Sequence, residues 1–204
     1  MALRRIISLE KKNRIKSKIF DAGLWIGIAF IFNPWMLLFL VLPYLGMFIY
    51  NRITVSNLIL PLIGLLTPIF LTYTYCLTIG NMSFFEGIFS IQWSFESAAY
   101  QQLKLLIPIT LLISLTIWSV ISCSPKILSR ANSLKQSWIL IINQLLLAII
   151  IIIFSPNKDG SEFLVAFFPA AIIITNYLET IRDNWFKEVL LWLFISISIL
   201  VYFL

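Results

Sequence analysis

"IAFIFNPWMLLFLVLP", residues 28–43, carries no charged side chain and has an Asn-Pro pair near its middle. The charge-free run around it extends from Ala22 to Asn51. As one helix from Ile19 to Tyr50 it would be about 48 Å long, far beyond the ~30 Å hydrocarbon layer of a bilayer. Proline within a helix removes a hydrogen bond and disfavours helix at the residue before it. Asn-Pro also initiates turns. The sequence therefore predicts a hairpin, with helices at Ile19–Phe32 and Trp35–Tyr50 and a turn at Asn33-Pro34.

The same reading extends along the chain. Only 12% of its 204 residues are charged, against roughly 25% in soluble domains. Long apolar runs predict further spans at Leu58–Ile79, Leu103–Ser122, Trp138–Phe154, Phe163–Leu178 and Trp185–Leu204. None alternates as the ~10-residue strands of a membrane barrel would. The expected fold is an all-α polytopic transmembrane bundle of about seven spans. Residues 1–18 form a basic cytoplasmic segment, residues 19–204 the bundle, and residues 80–102 an outer loop.

Charge distribution tests the hairpin independently. With the N-terminus inside, the inner segments hold Arg4, Arg5, Lys11, Lys12, Arg14, Lys16, Lys18, Arg52, Lys126, Arg130, Lys135, Arg182 and Lys187. The outer segments hold only Lys104 and Lys158. Cytoplasmic loops favour Lys and Arg in this way. Without the turn, the inner-side basic residues from Arg52 onward would move outside. The N-terminus is thus expected in the cytoplasm and the C-terminus outside. The opening "MALRRIISLEKKNRIKSK" lacks the apolar core and small residues of a cleavable leader. Because the basic residues flank spans, the net charge of +6 reads as topology rather than nucleic-acid binding.

Histidine is absent and the cysteines are Cys76 and Cys123 alone. The commonest general base and metal ligand is therefore missing, and a Cys/His zinc site is excluded. No cofactor and no metal is expected. The two cysteines fall near opposite ends of their spans, so both thiols should be free.

Intramembrane polar residues are the default places to look for function. Asp21 lies in the first span, with Lys18 three residues earlier as its expected partner. Asn143 and Gln144 lie in the fifth span and Asn176 in the sixth. An interhelical bond between Asn143 and Asn176 is the simplest expectation. Glu86, Glu96, Asp159 and Glu162 lie on the outer side, where solvated loop charge is the expected role. Glu86 and Glu96 are the candidates for catalysis.

The longest connection, "GNMSFFEGIFSIQWSFESAAYQQLK" (residues 80–104), alternates Phe89, Ile91, Trp93 and Phe95 with polar residues. It reads as a half-buried strand-like segment or as an interfacial element with aromatics among the headgroups. Trp93, Phe89 and Phe95 in this loop, with Asn33 at the hairpin turn, are the candidate substrate or partner contacts. Pro43, Pro61, Pro68, Pro108 and Pro169 fall within spans, which points to a bundle shaped around a cavity.

Residues 3–52, residues 60–75 ("LPLIGLLTPIFLTYTY") and residues 163–191 together resemble an uncharacterised, Bacteroidota-type family of bacterial polytopic inner-membrane proteins. Members of that family are typically longer, with further spans upstream, so the resemblance implies a C-terminal portion. Some carry a carotene-oxygenase label. Such enzymes bind iron through histidines, which this chain lacks. A second resemblance is to the membrane region of C-type glycosyltransferases, which use lipid-phosphate donors. It rests on Gly23-Leu24-Trp25-Ile26-Gly27-Ile28-Ala29 followed by Asn33-Pro34. Asn33 stands where those enzymes commonly have a basic residue.

The expected function is that of an accessory or structural inner-membrane subunit of the bacterial envelope. Its partners would be the lipid bilayer, and other membrane subunits or a lipid-linked substrate. A glycosyltransferase-like membrane region and a small transporter are the alternatives.

Overall fold

A computed structural model describes residues 1–90, 103–129, 132–155, 160–181 and 184–203. Among them every regular element is helical. The α-helices are α1 (Ala2–Ile7), α2 (Ile15–Phe32), α3 (Val41–Ile49), α4 (Val55–Ile79), α5 (Ser83–Ile88), α6 (Leu103–Leu128), α7 (Asn132–Phe154), α8 (Leu164–Thr180) and α9 (Asn184–Phe203). Short 3-10 helices occupy Ser8–Glu10, Pro34–Leu40 and Ser161–Phe163. The chain divides into two compact units. The first comprises Met1–Trp93 with Gln136–Leu147, and the second Ser94–Lys135 with Ala148–Leu204.

The first unit is built on α2 against α4, and glycine decides how closely they pack. A Cβ on Gly23 would stand 2.2 Å from the Pro61 carbonyl oxygen, and one on Gly27 2.5 Å from that of Leu65. From the other side, a Cβ on Gly64 would stand 2.3 Å from the Phe20 carbonyl oxygen. Small residues let two backbones touch, which is how helices associate where no water drives them together. The register of these contacts has a consequence. Gly23 meets Pro61 and Gly27 meets Leu65, so α2 and α4 run parallel. Two parallel helices joined in sequence need a returning arm between them.

That arm is Pro34–Ile49. Helix α2 ends at Phe32, and Asn33 is extended, with φ −150°. The Asn33 Oδ1 accepts a hydrogen bond from the Trp35 N–H at 3.0 Å, which caps the new helix. The turn is where the sequence predicts it, but the arms differ from the predicted pair of short α-helices. Helix α2 begins four residues before the predicted Ile19, giving 18 residues and about 27 Å. The returning arm opens as a seven-residue 3-10 helix before becoming α3. A 3-10 helix rises about 2.0 Å per residue against 1.5 Å in an α-helix, so this arm also reaches about 27 Å. Both arms thus approach the thickness of a hydrocarbon core.

Residues 1–18 are more than a basic tail. Leu3, Ile6 and Leu9 are at most 3% exposed, because α1 and the following 3-10 turn fold back onto α2 and α3. Ile6 rests on Gly46, where a Cβ would come within 2.3 Å of its Cγ2. The α3–α4 turn is held by Asn57, whose Nδ2 donates to the Arg52 carbonyl at 2.7 Å. Asn51 supplies the positive φ of 53° that asparagine tolerates. The α7 segment of this unit joins the same end through Gln136 Nε2, which donates to the Ile49 carbonyl at 3.3 Å.

In the second unit α6 packs against α8 and α9. Helix α6 buries Thr116, Ser119 and Cys123, and α8 buries Ala166, Ala170 and Ile173. Trp118 Nε1 donates to the Tyr177 hydroxyl at 2.8 Å, and Cys123 Sγ lies 4.0 Å from Thr180 Oγ1. These pairs ascend together, so α6 and α8 are also parallel. A groove of about 550 Å³ between α6 and α9 is lined by Leu111, Leu115, Val189 and Leu193. Its Thr110 and Ser114 hydroxyls bond back to Ile107 and Leu111 carbonyls, leaving an apolar lining.

Four helical stretches among the described residues are long and apolar enough to cross a membrane: Val55–Ile79, Lys104–Leu128, Leu134–Phe154 and Ser161–Thr180. Helix α6 continues six residues past the predicted Ser122, and α7 begins at Asn132 rather than Trp138. Cys76 and Cys123 are both buried and neither forms a disulfide, as the sequence predicts.

Candidate functional site

The polar end of the first unit gathers charge from three parts of the sequence. Arg5 on α1 places Nε 3.1 Å from Asp21 Oδ2 on α2. The predicted partner, Lys18, turns elsewhere. Its Nζ donates to the Lys11 carbonyl at 3.1 Å and to the Ser8 carbonyl, so it closes the 3-10 turn after α1. Folding α1 back brought a better-placed cation to Asp21 than helix spacing alone supplied.

Arg52 enters from the α3–α4 turn. Its N–H donates to the Met47 carbonyl at 2.8 Å, which with the Asn57 bond fixes the backbone. Its side-chain Nε is buried with no hydrogen-bond partner. A buried guanidinium nitrogen left unsatisfied costs free energy that an anion would offset. This end therefore presents Arg5, Lys18 and Arg52, with Asp21 paired to Arg5 and Glu10 in the turn after α1.

The opposite end of the unit is aromatic. Phe89 packs edge-on against Phe30 and Phe85 at centroid distances of 5.7 and 5.2 Å, and Tyr73 meets Phe85 at 5.2 Å. These rings tie α5 to α2 and α4. Phe89 has φ −91° and ψ 0° and closes α5, so the predicted strand does not begin there. Ile91, Trp93, Phe95 and Glu96 lie outside the described residues. Glu86 is exposed on α5. Asn33 is occupied in capping, and Gly23 and Gly27 are occupied in packing against α4.

The amides of Asn143 and Asn176 turn back onto their own helices. Asn143 Nδ2 donates to the Ile139 carbonyl and Asn176 Nδ2 to that of Ile172, each at 2.8 Å. Each amide thus makes an i−4 bond within its own helix, which it reaches at no cost in helix placement. Gln144 leaves its Oε1 buried and without a partner. Glu162 corrects another expectation. It is 5% exposed rather than solvated, and its Oε2 accepts the Gly160 N–H at 2.9 Å.

In the sequence Arg5, Arg52 and Glu162 read only as flanking or loop charge, and Arg5 alone carries a further signal. Leu3, Ile6 and Leu9 recur every third residue, the mark of an apolar helical stripe that α1 must bury. Among the described residues, no group of three or more His, Cys, Asp or Glu is placed to hold a metal.

The class defined by this fold is an all-helical protein with several helices long and apolar enough to cross a membrane. The pattern of a family of unknown function (DUF6427) matches residues 1–204, and the chain belongs to that family. No curated protein and no solved structure matches it.

Proposed function

We propose that the protein is a multi-pass inner-membrane protein of the bacterial envelope. It crosses seven times, with its N-terminus in the cytoplasm and its C-terminus outside, and serves as an accessory or structural subunit. The parallel pairing of α2 with α4 carries this reading, because it requires the returning arm that the basic residues also demand. The parallel pair α6 and α8 supports it in the second unit, since α7 lies between them in sequence. The outward faces support membrane residence. Helix α4 exposes Ile59, Leu62, Leu66 and Phe70, a stripe that lipid solvates and water does not.

The accessory role is favoured over a glycosyltransferase-like one by what the shared motif does here. Gly23, Gly27 and Asn33 hold the fold together, so the resemblance is one of architecture. Reporter fusions test the topology. Fusions at Asn33, Glu96 and Asp159 should report the outer side, and fusions at Arg52, Arg130 and Arg182 the inner side. An inner-side signal at Asp159 would remove the seven-span arrangement even if the hairpin stood. In mild detergent the protein should run with a stoichiometric membrane partner, and a lone monomer would count against the accessory role.

A further inference from the structure

We propose that Arg5, Lys18 and Arg52 form a phosphate-binding cradle for the headgroup of an anionic phospholipid at the end of the first unit. The geometry supports it at three points. Arg52 keeps a buried Nε–H without an acceptor, on a backbone fixed by Met47 and Asn57. Lys18 is anchored by the Ser8 and Lys11 carbonyls, which hold its ammonium in place. Arg5 engages Asp21 through Nε, and its side chain is half exposed, so its other nitrogens can meet a ligand.

The charges do not balance. Four basic groups, Arg5, Lys11, Lys18 and Arg52, stand here against two carboxylates, Asp21, which pairs with Arg5, and Glu10, which is exposed. A phosphodiester supplies the missing negative charge and enough oxygen acceptors for two guanidinium groups. The position favours a lipid source. On the topology proposed above, this end faces the cytoplasmic leaflet, where basic pockets between helices meet anionic headgroups. The neighbouring Lys12, Arg14 and Lys16 are not buried and draw such lipids to the surface.

The test uses the full chain in a neutral detergent, titrated with phosphatidylglycerol or phosphatidylcholine and read by native mass spectrometry. This measures binding without reference to sidedness, so a failure here is separable from a failure of the topology. Phosphatidylglycerol should bind about tenfold more tightly than phosphatidylcholine, and Arg52→Gln should abolish the difference. Lys126→Gln, in the second unit, should leave it intact. Asp21→Asn removes the competing carboxylate and should tighten phosphatidylglycerol binding about threefold, a gain that damaged folding would not produce. Equal affinity for both lipids, or no tightening in Asp21→Asn, would overturn the proposal. Displacement of phosphatidylglycerol by millimolar inorganic phosphate would assign the cradle to a soluble phosphate and overturn the lipid source.

Discussion

Gly23→Val should be among the most destabilising single substitutions in the first unit. The first added carbon would stand 2.2 Å from the Pro61 carbonyl oxygen, an atom of helix backbone that cannot swing aside. Helices α2 and α4 must separate, and the close approach along Gly27 and Gly64 is lost with them. Overpacking a tight core costs about 1–3 kcal/mol for small insertions, and this one is larger and meets backbone. A loss of about 3 kcal/mol or more is expected, which lowers the melting temperature by roughly 10 °C in a chain of this size. Gly87→Ala is the matched control, because nothing lies within 4 Å of the added carbon. It should be neutral or slightly stabilising, since alanine favours helix by about 0.5–1 kcal/mol over glycine. Detergent thermal melts of the two variants give the comparison.

Leu9→Ala should release α1. Leu9 is fully buried, and truncating a buried leucine costs about 2–5 kcal/mol. The loss is local, because α1 and its 3-10 turn hold to the bundle chiefly through Leu3, Ile6, Leu9 and the Arg5–Asp21 pair. Opening of α1 exposes the Arg5 peptide bond to trypsin. At the lower end of that cost, cleavage should accelerate by roughly thirtyfold. Wild-type cleavage kinetics at Arg5 would show that α1 is not held by these residues. Ile6→Ala should act in the same direction, since Ile6 seats on Gly46.

The hairpin was legible because two unrelated signals agreed: a turn-forming Asn-Pro in a run too long for one crossing, and basic residues on alternate sides. The lengths of its arms were not. No residue pattern announces that Pro34–Leu40 winds as a 3-10 helix, since the choice is made by packing on α2 and by the span to be covered. In the sequence Gly23 and Gly27 stand out only as part of a family-like motif. Its neighbours Pro61 and Leu65 lie nearly forty residues away in sequence, so its role as a helix contact becomes visible only in three dimensions.

The charged groups divide the same way. Asp21 is conspicuous in sequence as an acid in an apolar run, yet its partner Arg5 depends on α1 folding back. Arg52 looked like an ordinary inner-loop cation. Its significance lies in the burial of one nitrogen, which composition does not encode. Glu162 looked like loop charge for the same reason, and the turn at Gly160 buries it.

The hairpin is the central claim, and the sidedness of its two ends tests it most directly. Lys12 precedes α2 and Ile53 follows α3, and both are exposed. Each is replaced by cysteine, one at a time, in a chain whose Cys76 and Cys123 are alanine. A membrane-impermeant maleimide is then applied to intact spheroplasts and to inverted vesicles. Lys12→Cys and Ile53→Cys should both label in inverted vesicles and neither in spheroplasts. Labelling of the two positions from opposite sides of the membrane would contradict the hairpin and the fold built on it.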